Sequence, residues 1–299
     1  MINHSDIRIG TLAPMGNKSA SYIQQMLPHG FESFSITIWQ QIGDLDLERI
    51  AKEVLNVIGD KAVISTIGIF CNPLMKESAV KDWERVIDSA KLFNTSMVSG
   101  FAGAVQGKPL PESMPVFKKV WGDLAKRAED NGLRVAFENC EMGGWWHDAG
   151  AWNIAHSPTA WEMMFNEVPS PAIGLEWEPC HQMVSLIDPI PQLRKLAPTG
   201  KIFHVHGKDA TIAWDVVRTS GIRGGQKYVW HRTPGFGDTN WTDVISILRM
   251  NKYTGTIDIE GWHDPVYCGD LETTGQVYAL NHLKHCRGGA YVPNPSKEG

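Results

Sequence analysis

The sequence predicts a single α/β domain, a (β/α)8 barrel. Three observations carry that expectation: eight short apolar runs rich in β-branched residues, segments of helical period between them, and no linker or charge run that divides the chain. The runs begin near Ile7, Phe31, Ala62, Thr95, Leu133, Ala172, Lys201 and Thr254. Strands that alternate with helices form parallel units, and eight such units close a barrel of about 250 residues, a size that a chain of 299 accommodates. The barrel is expected over residues 1–286, with 287–299 as an irregular tail holding Gly288, Gly289, Pro293 and Pro295.

Between the runs, apolar residues at Leu47, Ile50, Ala51, Val54 and Leu55 predict a helix over Leu47–Ile58. Val80, Trp83, Val86, Ile87 and Ala90 repeat the pattern, and 113–130, 159–166, 240–251 and 273–285 supply further helices. Less regular helical patterns fall between the first two runs and after the sixth. Asn131 and Gly132 end one helix directly before a strand, and Pro171, Pro198 and Gly200 bound others. An open doubly wound sheet is the alternative, but no G-x-G-x-x-G or phosphate-loop motif follows the first run, where Gly10 stands without a glycine-rich turn. The longest connection, 207–239, has no obvious secondary structure and reads as a functional loop.

A formal charge of −5 without a basic cluster gives no electrostatic footprint for nucleic acid or an anionic membrane. The first residues lack a basic and then apolar leader pattern, and no apolar stretch reaches roughly 18 residues, so a cytoplasmic protein is expected. The cysteines, Cys71, Cys140, Cys180, Cys268 and Cys286, form no C-x-x-C pair and suggest neither a disulfide framework nor a thiolate zinc site.

Barrel chemistry sits where strands end, and four successive runs end in polar groups. The fifth ends at Glu138-Asn139, and the sixth at Glu176-Trp177-Glu178 with His181 beyond. The seventh ends at His204-Val205-His206 with Lys208 and Asp209, and the eighth at Glu260 with His263 and Asp264. Strands one to four offer no His, Asp or Glu there. Carboxylates at a narrow barrel mouth are costly to desolvate unless paired or bound to a cation. Alternation puts Glu176 and Glu178 on one face, opposite Leu175 and Trp177, and likewise groups His204 with His206. The outer member of each pair is the better donor, which gives Glu138, Glu178, His206 and Glu260 as metal ligands, with His181 facing the same space. Oxygen-rich ligation with one imidazole suits Mn²⁺, Mg²⁺ or Co²⁺. His263 and Asp264 are expected to orient Glu260 or its loop; His147, His156 and His231 are divided between surface and substrate.

At VAFEN (135–139), GLEWEPCH (174–181), FHVHGKD (203–209), PGFGDTNWTDVISIL (234–248) and YTGTIDIEGWHDP (253–265) the sequence resembles the xylose isomerase-like TIM-barrel superfamily, in particular its sugar phosphate isomerase/epimerase group. The resemblance carries that family's metal ligands onto Glu138, Glu178, His206 and Glu260 and its substrate histidine onto His181. Glu178 stands where Asp is usual, and Ile212 occupies the approximate place of a substrate-contacting arginine. It implies proton transfer on a sugar, keto-sugar or cyclitol through an enediolate stabilised by one divalent ion, Mn²⁺ first, with Co²⁺, Mg²⁺ or Zn²⁺ as alternatives. Glu138 and Glu260 would be the acid/bases. Lys208, His181 or His147 would protonate a leaving group if the reaction is instead a dehydration or lyase cleavage, and Trp39, Trp145, Trp146, Trp177 and Trp262 would form an aromatic rim. Arg223, Lys227 and Arg232 are candidates for a phosphate contact. A phosphodiesterase of the endonuclease IV type would need extra histidines from the early strands, and a non-catalytic sugar-binding protein is a further alternative. The resemblance leaves a homo-oligomer open.

Overall fold

The computed structural model describes residues 6–142, 152–290 and 292–295. Eight parallel strands close a barrel: β1 (Arg8–Pro14), β2 (Ser33–Trp39), β3 (Val63–Phe70), β4 (Met97–Gly100), β5 (Arg134–Glu138), β6 (Ile173–Trp177), β7 (Ile202–Gly207) and β10 (Thr256–Ile259), with β1 paired to both β2 and β10. Between β7 and β10 lies an antiparallel pair, β8 (Asp209–Ile212) with β9 (Val229–Arg232). The outer layer comprises α1 (Ser19–Met26), α2 (Leu47–Ile58), α3 (Glu77–Ser89), α4 (Met114–Asp130), α5 (Pro158–Glu167), α6 (Pro179–Val184), α7 (Pro189–Leu196), α8 (Trp214–Ser220), α9 (Trp241–Met250) and α10 (Glu272–Cys286). This is the (β/α)8 barrel that the alternating runs predict.

Local chemistry explains the elements. Asp46 accepts the Arg49 amide proton at 3.0 Å and starts α2, Gly59 at φ 56° ends it, and Leu47, Ile50, Ala51, Val54 and Ile58 face the barrel. Between strands and helices the core is apolar and aromatic: Trp121 meets Trp83 edge-on at 4.9 Å and Phe137 at 4.5 Å, and donates its indole N–H to the Ala102 carbonyl.

Two features depart from expectation. The long connection is not bare loop, because β8, α8 and β9 lie within it. Its strands are four residues each, too short for periodicity to reveal. Buried Asp209 anchors its end by accepting from the Thr239 amide at 3.1 Å and the Trp241 indole at 3.0 Å. At the opposite pole, Arg287 follows α10 and is buried. It donates to the Ile7 carbonyl at 2.8 Å and to both carboxylate oxygens of Glu32, at 2.6 and 3.0 Å. The C-terminal helix is thereby fastened to the N-terminal ends of the first strands.

Candidate active site and metal centre

The open end of the barrel, where β5, β6, β7 and β10 terminate, gathers the predicted ligands. Glu138 closes β5, Glu178 follows β6 in extended conformation, His206 lies in β7 and Glu260 follows β10. One oxygen of each glutamate and one nitrogen of His206 lie within 4.8 Å of one another, and all four residues are buried. His206 Nδ1 is 3.1 Å from Glu138 Oε1, 3.3 Å from Glu260 Oε2 and 3.6 Å from Glu178 Oε2. A hard divalent ion with bonds of about 2.1 Å sets adjacent donors about 3 Å apart, so these spacings suit one.

Backbone clamps hold the donors. Asn139 accepts the Glu178 amide proton at 2.7 Å and donates to the Glu178 carbonyl at 3.0 Å, while Asn153 donates to the carbonyls of Glu138 and Cys140. Neither oxygen of the buried Glu178 carboxylate receives a well-formed hydrogen bond, nor does Glu260 Oε2, although His181 Nε2 lies 2.5 Å from Glu178 Oε1. Unpaired buried carboxylate oxygens cost several kcal/mol unless a cation answers them. Lys208 Nζ answers Glu260 Oε1 at 2.8 Å and lies 3.8 Å from Glu178 Oε1. Three carboxylates against one ammonium still leave two negative charges, which one divalent ion would neutralise. The donor set therefore fits a metal.

Burial would lower the His206 imidazole, but Glu176, Glu138 and Glu260 overturn this and raise it well above its ordinary value. The cluster thus attracts a cation at that position, proton or metal. Burial would also raise Glu260, and Lys208 overturns it, holding the carboxyl well below its usual range. His181 stands between Glu141, whose Oε2 is 2.7 Å from Nδ1, and Lys208, 3.3 Å from Nε2. Burial would raise Glu141, and the His181 hydrogen bond brings it down to about 2. His231, delivered by β9, and His263 complete a cluster of rings 5.5–5.7 Å apart. Burial, reinforced by Lys208, lowers His231 to about 3 and His263 to about 4, leaving both neutral at pH 7.

Beneath the donors runs a polar chain inside the barrel, where branched apolar residues are usual. Glu176 Oε1 lies 3.2 Å from His206 Nε2 and 2.7 Å from His204 Nδ1, and His204 Nε2 lies 2.6 Å from Asp258 Oδ2. Asp258 in turn accepts from Ser33, Ser65 and Thr256. An added Cβ on Gly10 would meet Asp258 Oδ1 and Ser33 Oγ at 2.1 Å, so β1 needs glycine there.

The other predicted residues divide. Lys208, His181, Trp39 and Trp262 line the cavity above the donors, as do His231 and His263, with His263 3.3 Å from Glu260. Trp177 is corrected: it is fully buried and donates to Gln192 at 2.9 Å, because alternation that sends Glu176 and Glu178 inward sends Trp177 out under α7. His156 is buried away from the cavity lining, and Asp264 pins its loop by accepting from Arg232, Thr233, Val266 and Tyr267. Ile212 packs beside Cys180, Met183 and Ala210. Neither Arg223, Lys227 nor Arg232 lines the cavity. His147, Trp145 and Trp146 lie outside the described residues. Glu141, Asn139, Asn153 and Asp258 are the residues that sequence reasoning did not assign. Asp258 carried a signal, since D-x-E repeats the spacing of E-x-E and H-x-H; Glu141 lies on a loop, where periodicity says nothing.

No helix among the described residues is long and apolar enough to cross a membrane. Compared with known proteins, the chain is 29% identical over 199 residues to an inosose dehydratase of Clostridium tetani, a match covering 63% of this chain and 62% of that protein. The matched stretch is therefore less than two thirds of that relative's length. A xylose isomerase domain protein from Planctomyces limnophilus superposes with a TM-score of 0.70 at 16% identity, covering 95% of this chain and 98% of its own. The 3-keto-D-glucoside 4-epimerase of E. coli does so at 0.69 and 14%, covering 94% and 100%. These two likenesses concern the fold. The family model described as xylose isomerase-like TIM barrel matches residues 23–286, and the chain belongs to that family.

Proposed function

We propose that the protein is a divalent-metal-dependent isomerase or epimerase acting on a sugar, keto-sugar or cyclitol. The observation that carries the reading is the buried cluster of Glu138, Glu178, His206 and Glu260, with carboxylate oxygens left unanswered at the floor of an open cavity. Those four residues would hold the ion, Mn²⁺ being the best match to three oxygens and one imidazole. When bound, the ion supplies Lewis acidity to a carbonyl oxygen and its neighbouring hydroxyl. Glu138 and Glu260, from strands β5 and β10, remove the C–H proton from the carbon that bears the hydroxyl and return it. Lys208 donates to Glu260 at 2.8 Å and holds it in the ionised form. Return to the other face of the same carbon gives epimerisation, and return to the adjacent carbon, with the hydroxyl proton passing to the former carbonyl oxygen, gives isomerisation.

A dehydratase or lyase on the same residues is the second reading. It is favoured by the likeness to an inosose dehydratase and by the contact of Lys208 with His181 at 3.3 Å, which offers an acid for a departing oxygen. The test is incubation of the metal-loaded protein with a panel of keto-sugars and inososes in deuterated water. Deuterium entry with retained molecular skeleton supports isomerase or epimerase chemistry. Loss of water or of a substituent supports the lyase, and no exchange across the panel contradicts both.

A further inference from the structure

The cavity above the donors measures about 980 Å³, at the upper end of the roughly 300–1,000 Å³ of small-molecule sites. Its two sides differ in chemistry. The polar side comes from the ends of β5, β7 and β10, and the facing side, from β2 to β4, is largely apolar, with Ile38, Trp39, Phe70 and Phe101; Met142 and Trp262 stand at the rim, Trp262 5.5 Å from His263. The aromatic wall is braced. Phe101 meets Phe70 edge-on at 5.2 Å and Trp39 at 6.2 Å, and Trp39 stacks on Trp152 at 6.5 Å. Trp39 is nevertheless 60% exposed and Trp262 42% exposed, so large apolar rings stand open at the mouth of a cavity rather than packed into the core. Lys208 is the only Lys or Arg among the described lining residues, and it is tied to Glu260. Of the loop cations, Arg232 pairs with Asp264 and Lys227 sits over Trp230.

We propose that the substrate is a neutral, two-part molecule: a polyhydroxylated carbonyl ring held by the polar side and an aromatic substituent packed on the wall of Trp39, Phe70 and Phe101. The polar half of this inference rests on the function proposed above, and the apolar half stands on the wall itself. A free monosaccharide would leave that wall wet, and a phosphorylated one would find no guanidinium or unengaged ammonium among the described lining residues. A flat ring instead gains offset or edge contacts with braced aromatics.

The test is calorimetric binding of the 3-keto derivatives of phenyl and methyl β-D-glucopyranoside, with glucose 6-phosphate as the charged control, to the Mn²⁺-loaded and metal-stripped protein. The expected result is at least about tenfold tighter binding of the phenyl compound. That ratio should fall toward one in Trp39→Ala, an exposed position whose truncation leaves the core packed. Equal affinities, failure of the phenyl compound to bind, or preference for glucose 6-phosphate overturns the proposal. A phenyl preference that survives with no dependence on metal supports the wall while contradicting the metal reading. Metal-dependent binding without phenyl preference does the reverse.

Discussion

Replacing Glu176 by Gln removes one charge from the polar chain while keeping its shape, and so tests whether the layer below the donors tunes them. Glu176 Oε1 lies between His204 Nδ1 at 2.7 Å and His206 Nε2 at 3.2 Å, and its other oxygen has no partner. The contact with His206 Nε2 is not a well-formed hydrogen bond, so the carboxylate acts on that ring through its charge, which favours a proton on Nε2 and the Nδ1 lone pair toward Glu138, Glu178 and Glu260. Gln can still accept through one oxygen, but a charge-assisted hydrogen bond of about 1.5–3 kcal/mol becomes a neutral one of about half that. Partners of metal ligands typically contribute about 10–100-fold in affinity, equivalent to about 1.4–2.8 kcal/mol, and the two ranges meet near 1.4 kcal/mol, about tenfold. Titration of Mn²⁺ into metal-free wild type and variant by calorimetry, beside thermal melts of both, measures the effect. We expect binding about tenfold weaker with the melting temperature nearly kept. An affinity within twofold of wild type would refute the reasoning that Glu176 sets the ligating nitrogen.

Glu260→Gln is expected to lower solvent deuterium exchange into substrate by at least about 100-fold with an unchanged circular dichroism spectrum, and near-native exchange would remove Glu260 from the chemistry. Gly10→Ala drives a methyl to 2.1 Å from Asp258 Oδ1 and 2.2 Å from the Ser33 carbonyl, so it should cost about 1–3 kcal/mol or more; an unchanged melting temperature contradicts the packing described. Arg287→Ala should cost about 2 kcal/mol by breaking the two-pronged contact with Glu32. Burial would raise the Glu32 carboxyl, but Arg287 overturns this and holds it below its ordinary value. Its stabilisation is therefore full above the unfolded carboxylate pKa of about 4.3 and is lost as pH falls through the lower folded value. Wild type should lose stability on acidification through that window, and the variant should lose less of it; parallel pH profiles would contradict the pairing.

The barrel is readable in the sequence because each unit repeats the same local bargain. Helix α2 is visible from Asp46, Gly59 and an apolar stripe, and β6 from Ile173 through Trp177, since capping and alternation act within a few residues. Alternation also brings the donors to light: E-x-E, H-x-H and D-x-E on three strands place Glu178, His206 and Glu260 one layer above Glu176, His204 and Asp258. The same period assigns Trp177 to the helical side. An aromatic rim at that position is incompatible with the strand's own alternation. What sequence does not reveal depends on long-range closure. Glu141 reaches His181 through a loop, the β8–β9 hairpin carries His231 over the mouth, and Arg287 finds Glu32 255 positions away. No local pattern encodes these meetings.

The buried carboxylates and imidazole of Glu138, Glu178, His206 and Glu260 call for one divalent ion. Elemental analysis of the purified protein, repeated after incubation with Mn²⁺, Co²⁺ or Zn²⁺ and on a folded His206→Ala/Glu260→Ala double variant, tests it most directly. The account predicts about one ion per chain in the wild type and none retained by the variant. Failure of the wild type to retain any of the three ions, or equal metal content in the variant, would contradict it.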